Sequence, residues 1–465
     1  MTRRFRLLLP LFSSLLLLLA CSSTSQVDEK LKDLPLPQNW QDSKKALAVE
    51  HNWLSELDNV QVHQLVKKAL AANHQFAMQA YSLEIAKQQL IISGSQLWPE
   101  LDLAFRSGRN KDNQTDSYSN SNSVNLNLSY EVDIWGKLSD ADRMTNYNYL
   151  AQKATFEQYK QQLVVNVITI WFRVIEAEKL LTLYRSRVEN SQQNLAIIEA
   201  GYNSGLTAAL DVYLTRNDLN NELTRVSEQE TEKTKLIRQL ERLIGEYPKG
   251  ELLVNANLPL LTTDIPVGLP SELISRKPEL KASWYQLISQ DASLAYAHKQ
   301  RFPSIVLSGS VGDSNADIGD LLSGSSLAWS LLGSISAPIF NAGRLKASEE
   351  KARIELKQAE QLYLDTLYNA FNDVENAITT EKNLKNSYYT MLAAQENAKI
   401  AATLSFEQYQ SGLVTYTTVL DAQKRSFEAQ TTLIKIKNQL IANRVNLHLS
   451  LGGDFTTPSL ENKAE

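Results

Sequence analysis

Residues 124–134 read Val124-Asn125-Leu126-Asn127-Leu128-Ser129-Tyr130-Glu131-Val132-Asp133-Ile134. Every even position is apolar or aromatic and every odd position is polar. Side chains on a strand repeat every two residues, so the run predicts a β-strand with one apolar and one wet face. Segment 101–106 alternates in the same way, with Leu101, Leu103 and Phe105 against Asp102, Ala104 and Arg106. A second pair lies further on. Ile305, Leu307 and Val311 alternate with Ser308 and Ser310; Leu327, Trp329, Leu331 and Ile335 alternate with Ser330, Ser334 and Ser336, though Leu332 breaks the rule. Polar stretches 107–123 and 312–326 read as loops joining each pair. Strands of about ten residues cross a bilayer when tilted. Four strands are too few to close a barrel, and an open edge in lipid leaves backbone groups unpaired at several kcal/mol each. The chain is therefore expected to oligomerise through its strands, three copies giving a closed twelve-stranded barrel with a polar lumen. A soluble β-sandwich would alternate as well.

The glycines expose a duplication, a pattern that decides the architecture. Gly136 and Gly343, Gly205 and Gly412, and Gly245 and Gly452 are each 207 residues apart. The flanks agree: Tyr202-Asn203-Ser204-Gly205-Leu206 answers Tyr409-Gln410-Ser411-Gly412-Leu413, and Trp98-Pro99 answers Phe302-Pro303. Gly and Pro destabilise helix interiors by about 1 and 3 kcal/mol. The intervals 137–204 and 344–411 hold only Gly201 between them, and 206–244 and 413–451 hold neither residue. Each half thus reads as helix, two strands, long helix, turn, shorter helix. At 1.5 Å per residue the long helix reaches roughly 100 Å and the shorter roughly 58 Å. Helices of that length need partners along their whole course. Leu433, Leu440 and Leu447 with Ile434 and Ile441, and Leu219, Leu223 and Val226, recur at coiled-coil spacing. A rod-like coiled coil without a channel has the same helices but no use for the strands.

The N-terminus carries Arg3, Arg4 and Arg6 followed by an apolar run from Leu7 to Ala20. That is the form of a secretory signal, too short for a spanning helix, which needs about 20 residues. It ends Leu18-Leu19-Ala20-Cys21, which resembles the lipobox of bacterial lipoproteins, with Leu19 bulkier than usual. The resemblance implies S-diacylglycerol and N-acyl groups on Cys21, a stable anchor at about 0.8 kcal/mol per buried methylene. Ser22 in place of Asp implies onward transport to the outer membrane. Cys21 is the single cysteine, which excludes internal disulfides and cysteine metal clusters. The five histidines are scattered without metal-ligand spacing. Loss of Arg3, Arg4 and Arg6 with the signal takes the net charge from −5 to −8, which offers no footprint for nucleic acid. Paired carboxylates, a nucleophile–base constellation and a phosphate loop are all missing from the sequence, so the chain does not read as an enzyme. Apart from the lipid, no cofactor is expected.

The chain resembles the TolC-like outer membrane factor family, in its OprM-like lipoprotein branch. The segments that carry the resemblance are the two Tyr-X-Ser-Gly-Leu turns, Val419-Leu420-Asp421-Ala422-Gln423, Arg276-Lys277-Pro278-Glu279-Leu280 with Pro270 and Leu273, Glu131 to Lys137, Ala337 to Arg344, and Leu451-Gly452-Gly453. It covers the whole chain after the signal. The fold it implies is mainly α with membrane β. Each tandem-duplicated chain gives four strands to a trimeric twelve-stranded outer-membrane barrel and long coiled helices to a periplasmic α-barrel. The function it implies is the passive, gated exit duct of a tripartite multidrug efflux system, a homotrimer working with a periplasmic adaptor and an inner-membrane resistance-nodulation-division (RND) transporter. A type I secretion channel shares the fold, and a structural envelope-spanning lipoprotein is the alternative without transport.

Within that frame the plan is a signal at 1–20, a lipidated extended segment at 21–58, first-repeat helices at 59–97 and strands at 98–135. A helical hairpin at 137–245 and a linker at 246–269 follow. Second-repeat helices are placed at 270–301, strands at 302–340, a second hairpin at 343–452 and a tail at 453–465. The resemblance makes the two turns a periplasmic tip that closes like an iris. It implies gate residues Asp211, Asp421 and Lys424, with Thr418 standing where some relatives carry a second acid. Without it, Asp421 and Lys424 read as an ordinary i,i+3 surface pair. Gly205, Leu206, Gly412 and Leu413 are implied at the tip where an adaptor docks, while Tyr202 and Tyr409 are expected to pack inside their hairpins.

Overall fold

The computed structural model describes residues 37–41, 57, 60–114, 116–254, 257–261, 267–268, 270–324 and 326–453. The signal and Cys21 lie outside the described residues. The chain is mostly helical with one small sheet. In order it forms α1 Val60–Ala72, α2 His74–Ser95, β1 Glu100–Asp112, β2 Ser117–Glu131, α3 Lys137–Asn203, α4 Ala209–Leu243, α5 Pro270–Arg276, α6 Pro278–Lys299, β3 Ser304–Asn315, β4 Ala328–Ser336, α7 Arg344–Gln410 and α8 Tyr416–Ser450. The repeat is visible in the lengths, since α3 and α7 each have 67 residues and α4 and α8 each have 35. Among the described residues two compact units divide the chain, the first from 83–153 and 282–364, the second from the described parts of 37–82, 154–281 and 365–453.

The first unit carries the sheet, antiparallel throughout, in the order β1-β2-β3-β4. Its register sets apolar residues in rows: Leu103 opposite Leu126 opposite Val311 opposite Trp329, and Leu101 opposite Leu128 opposite Gly309 opposite Leu331. These rows lie uncovered. Leu101, Leu103, Trp329, Leu331 and Ile335 are 64–79% exposed, a patch a water-soluble sheet would bury. On the other face Asn127 Nδ2 donates to Asp102 Oδ2 at 2.8 Å, and the Ser310 and Ser330 hydroxyls bond at 2.8 Å. The outer edges of β1 and β4 pair with nothing among the described residues.

Two expectations are corrected. The stretch 107–123 is mostly strand: the β1–β2 ladder runs on to Asp112 opposite Ser117, and β3 likewise continues to Asn315. A ladder is held by backbone bonds, and polar side chains serve it where it leaves the apolar layer. Ser107 Oγ donates to Asn122 Oδ1 at 2.7 Å. At the other end, β2 stops at Glu131. Asp133 turns aside to accept from Leu138 N at 2.9 Å, Ser139 N at 2.8 Å and Ser139 Oγ at 2.7 Å, so it starts α3. Burial would raise its pKa, but these hydrogen bonds hold it below the usual carboxylate value.

The second unit packs α1 against α3, α4 and α8. Its core holds Val62, Val66, Ile168, Trp171, Phe172, Ile175, Leu240, Ile244, Ile441 and Val445. Gly245 and Gly452, which end α4 and α8, are close-approach positions. A Cβ on Gly245 would stand 2.5 Å from the Ala72 carbonyl oxygen, and one on Gly452 would stand 2.9 Å from Lys277 Cα. Those contacts fall where α1 breaks into α2 and α5 into α6, so the repeat preserves the junction as well as the lengths. Among the described residues, no helix is long and apolar enough to cross a membrane.

The two faces of the sheet make opposite predictions. Arginine at Leu126, between Leu103 and Val311, should cost about 2–4 kcal/mol of folding stability in lipid. Arginine at neighbouring Asn127 should be nearly neutral. Denaturant titration of the protein refolded into vesicles, read by heat-modifiable gel mobility, distinguishes the two.

Candidate gate at the helical turns

The turns that join the long and short helices of each repeat lie in the second unit and are built alike. In the first, Leu206 N donates to Gly201 O at 2.8 Å and Gly205 N to Tyr202 O at 2.9 Å; in the second, Leu413 N donates to Gln408 O and Gly412 N to Tyr409 O, both at 2.9 Å. This crossed pair of bonds is the Schellman motif, which needs a left-handed residue after the helix. Gly205 and Gly412 supply it at φ +72° and +74°. Leu206 and Leu413 follow, 83% and 75% exposed, so each turn presents a bare apolar tip.

Behind the tips the two hairpins meet. Ile198 of α3, Val212 of α4, and Tyr416 and Val419 of α8 form a buried cluster, with Tyr409 and Phe406 of α7 packed against it. The Tyr409 ring lies 5.2 Å from that of Tyr416 and its hydroxyl donates to Asp211 Oδ2 at 3.2 Å. Asp211 sits in the first turn of α4, where a carboxylate is favoured by the helix dipole. Burial and the facing carboxylate push the Tyr409 phenol up to about 12. A pKa raised above the ordinary value of 10.0 keeps this contribution complete below pH 10 and lost as pH climbs through about 12, so the bond is insensitive to pH in the neutral range.

Two further ties follow along the hairpin. Ser191 Oγ donates to Asp218 Oδ2 at 2.8 Å. Arg187 of α3 pairs with Glu222 of α4 at 2.6 Å, both almost fully buried, and its guanidinium stacks 4.1 Å from the ring of Phe427 on α8. Burial raises the Glu222 pKa, opposed by Arg187 and Arg225.

The expected gate residues fall in two places. Asp211 and Tyr409 form the inter-hairpin tie. Thr418, Asp421 and Lys424 lie together on the exposed face of α8. Asp421 and Lys424 do not pair: Asp421 bonds Arg425 at 2.9 Å and Lys424 stands 3.9 Å from Glu428, all four exposed. Thr418 lies 3.2 Å from the Thr415 hydroxyl. Tyr202, expected inside its hairpin, is about half exposed, whereas its counterpart Tyr409 packs in and faces Asp211. Sequence reasoning passed over Arg425, Tyr416 and the Arg187–Glu222 pair. The i,i+4 spacing of Asp421 and Arg425 was a usable signal; the other contacts join distant segments.

An exposed apolar sheet with unpaired edges, and long duplicated helices ending in turned tips, define a membrane protein that meets lipid with strands. The chain belongs to the outer membrane efflux protein family, whose model matches residues 65–246 and 269–453, one segment in each repeat. Members of that family transport; they are not enzymes. The chain is 26% identical over 464 residues to the probable outer membrane lipoprotein SilC of Salmonella typhimurium, covering 97% of this chain and 99% of that one. It is also 26% identical over 460 residues to the cation efflux system protein CusC of Escherichia coli (strain K12), covering 96% and 99%. A crystal structure of CusC superposes with a TM-score of 0.83 at 24% identity, over 90% of this chain and 97% of that one.

The glycines allow a clean test. No atom lies within 4 Å of a Cβ built on Gly205 or Gly412. Alanine at either should therefore cost backbone strain alone, about 1–2 kcal/mol. Hydrogen–deuterium exchange should speed up in the last turn of the preceding helix. At Gly245 the collision with Ala72 should make the same substitution more damaging.

Proposed function

We propose that the chain is one third of a trimeric exit duct: β4 of each copy pairs with β1 of the next, closing twelve strands around a polar lumen, while the helices form the periplasmic tube. The observation that carries this is the sheet, apolar on one face and unpaired at both edges. Acylation of Cys21 anchors each copy. Energy comes from an inner-membrane RND transporter, and a periplasmic adaptor docks on the tips at Leu206 and Leu413. Three Asp421 side chains, each beside Arg425, approach the axis at the constriction. Tyr409 and Asp211 latch the two hairpins of one copy together.

The sheet face assigned to the lumen carries polar and charged residues such as Asp102, Arg106, Asn127, Ser310 and Ser330, and the duct takes what the pump delivers. Drugs, dyes and detergents are the proposed cargo. The relative CusC is named for cation efflux, so metal salts belong in the same test. Deleting the gene should raise susceptibility to one of these classes, and no change in any of them would remove the efflux reading in favour of secretion.

Gating has its own measurement. In planar bilayers Tyr409→Phe and the pair Asp421→Ala with Lys424→Ala should each raise single-channel conductance over the wild type. A conductance unchanged in all of them would withdraw the gate from these residues.

A further inference from the structure

The β1–β2 hairpin outlasts the apolar rows, and its extension keeps the same face. Residues 101, 103 and 105 of β1 are apolar, and the next members of that face are Ser107, Arg109 and Lys111. On β2 the face continues from Val124 to Asn122, Asn120 and Tyr118. Arg109 therefore stands four residues past Phe105, about 13 Å along the strand. Its guanidinium lies 4.6 Å from the Tyr118 ring, with Lys111 Nζ at 5.6 Å from the same ring. The Tyr118 ring thus meets two cations just beyond the apolar rows. Lys111 also meets the exposed Asp116 at 2.8 Å. Arg109 makes no ion pair among the described residues.

Beside them the segment after β3 folds back onto this face. Asp313, opposite Val124, accepts from Leu322 N at 3.2 Å and Gly324 N at 3.3 Å. Asn122 Nδ2 donates to Ala316 O at 3.0 Å. The result is an open cleft of about 630 Å³ walled by Ser107, Arg109, Asn120, Asn122, Asp317 and Ile318. Asp317 is the one acid in the wall, and its carboxylate is engaged by Gly319 N at 2.9 Å. Ile318 is 60% exposed at the rim.

We propose that this cleft seats the phosphorylated headgroup of an outer-leaflet lipid. Arg109, in the cleft wall, takes the phosphate, Lys111 adds charge from beyond the wall across the Tyr118 ring, and the Asn120 amide takes a sugar or ester oxygen. The acyl chains run down over Phe105, Val124 and Leu103. A cation pair alone would fit any anion; its continuity with an uncovered apolar face selects a lipid. The proposal rests on the proposed orientation of the sheet, with the β1–β2 hairpin facing outward.

The test uses the full-length protein in detergent micelles. Fluorescent lipopolysaccharide is the probe, with phosphatidylcholine and inorganic phosphate as competitors. Arg109→Ala with Lys111→Ala should weaken binding by about tenfold or more, whereas Arg106→Ala, on the opposite face, should leave it unchanged. Unchanged binding in the double variant, equal loss in Arg106→Ala, or full competition by inorganic phosphate would each overturn the proposal, the last in favour of a free-anion site. Should the double variant fail to assemble, Asn120→Ala, which keeps both cations, and Arg109→Lys serve in its place. The first should bind more weakly and the second should retain most of the affinity; the reverse order overturns the assignment. Orientation is read separately, by labelling Ser119→Cys on intact cells with a membrane-impermeant maleimide. Labelling supports the outward hairpin. Labelling only after the outer membrane is opened overturns the orientation, and the lipid site with it.

Discussion

A backbone amide in hydrocarbon has no water to turn to, and the four-stranded sheet leaves two rows of such groups at its edges. The same sheet presents an apolar face that only lipid or another protein would cover. Together these fix most of what the rest must be. Strands destined for lipid must find each other, which favours antiparallel pairing and an even count. The face turned away from lipid can then be wet, and the Asp102–Asn127 and Ser310–Ser330 contacts show it furnished for water. The described helices, none long and apolar enough to cross a membrane, are free to be polar on their exposed surfaces.

Among the polar ties of the helical hairpins, three lie in sequence behind the tips. Tyr409 with Asp211, Ser191 with Asp218, and Arg187 with Glu222 succeed one another behind the tips, each in a setting poorer in water than the last. A buried ion pair is a weak source of net stability, yet it penalises any shift that separates its members. Such ties therefore define alignment along otherwise uniform coiled helices. The exposed pairs on α8 contribute little by comparison, because solvent screens them. An arrangement of this kind lets a surface charge be exchanged cheaply while the packing of the hairpins stays fixed.

Much of this could be read from the residues. Strict alternation over 124–130 states both the strand and its lipid face, and glycines at a constant spacing mark the start, the turn and the end of each long hairpin. Polarity was the misleading sign. The Ser- and Asn-rich run 107–123 speaks of water and reads as loop, whereas backbone pairing is indifferent to it. Val132 and Ile134 continued the alternation on paper, but Asp133 is worth more as the start of a helix than as a strand residue. The site was legible only in part. Asp211 and Tyr409 were each noticed, yet their contact spans 198 positions and no local pattern announces it. Two basic residues follow Asp421, and within the chain its side chain meets Arg425 rather than Lys424, a choice that only rotamers make.

The two turns share their hydrogen bonds and the Tyr-X-Ser-Gly-Leu frame but differ in the residue just before it. Gly201 in the first, where a Cβ would press on Thr207 Cγ2 at 2.9 Å, has Gln408 as its counterpart in the second. A ring assembled from single-repeat subunits would inherit every mutation at every turn simultaneously. Fusing two repeats in one gene frees alternate turns to evolve apart, one kept as scaffold while the other is tuned.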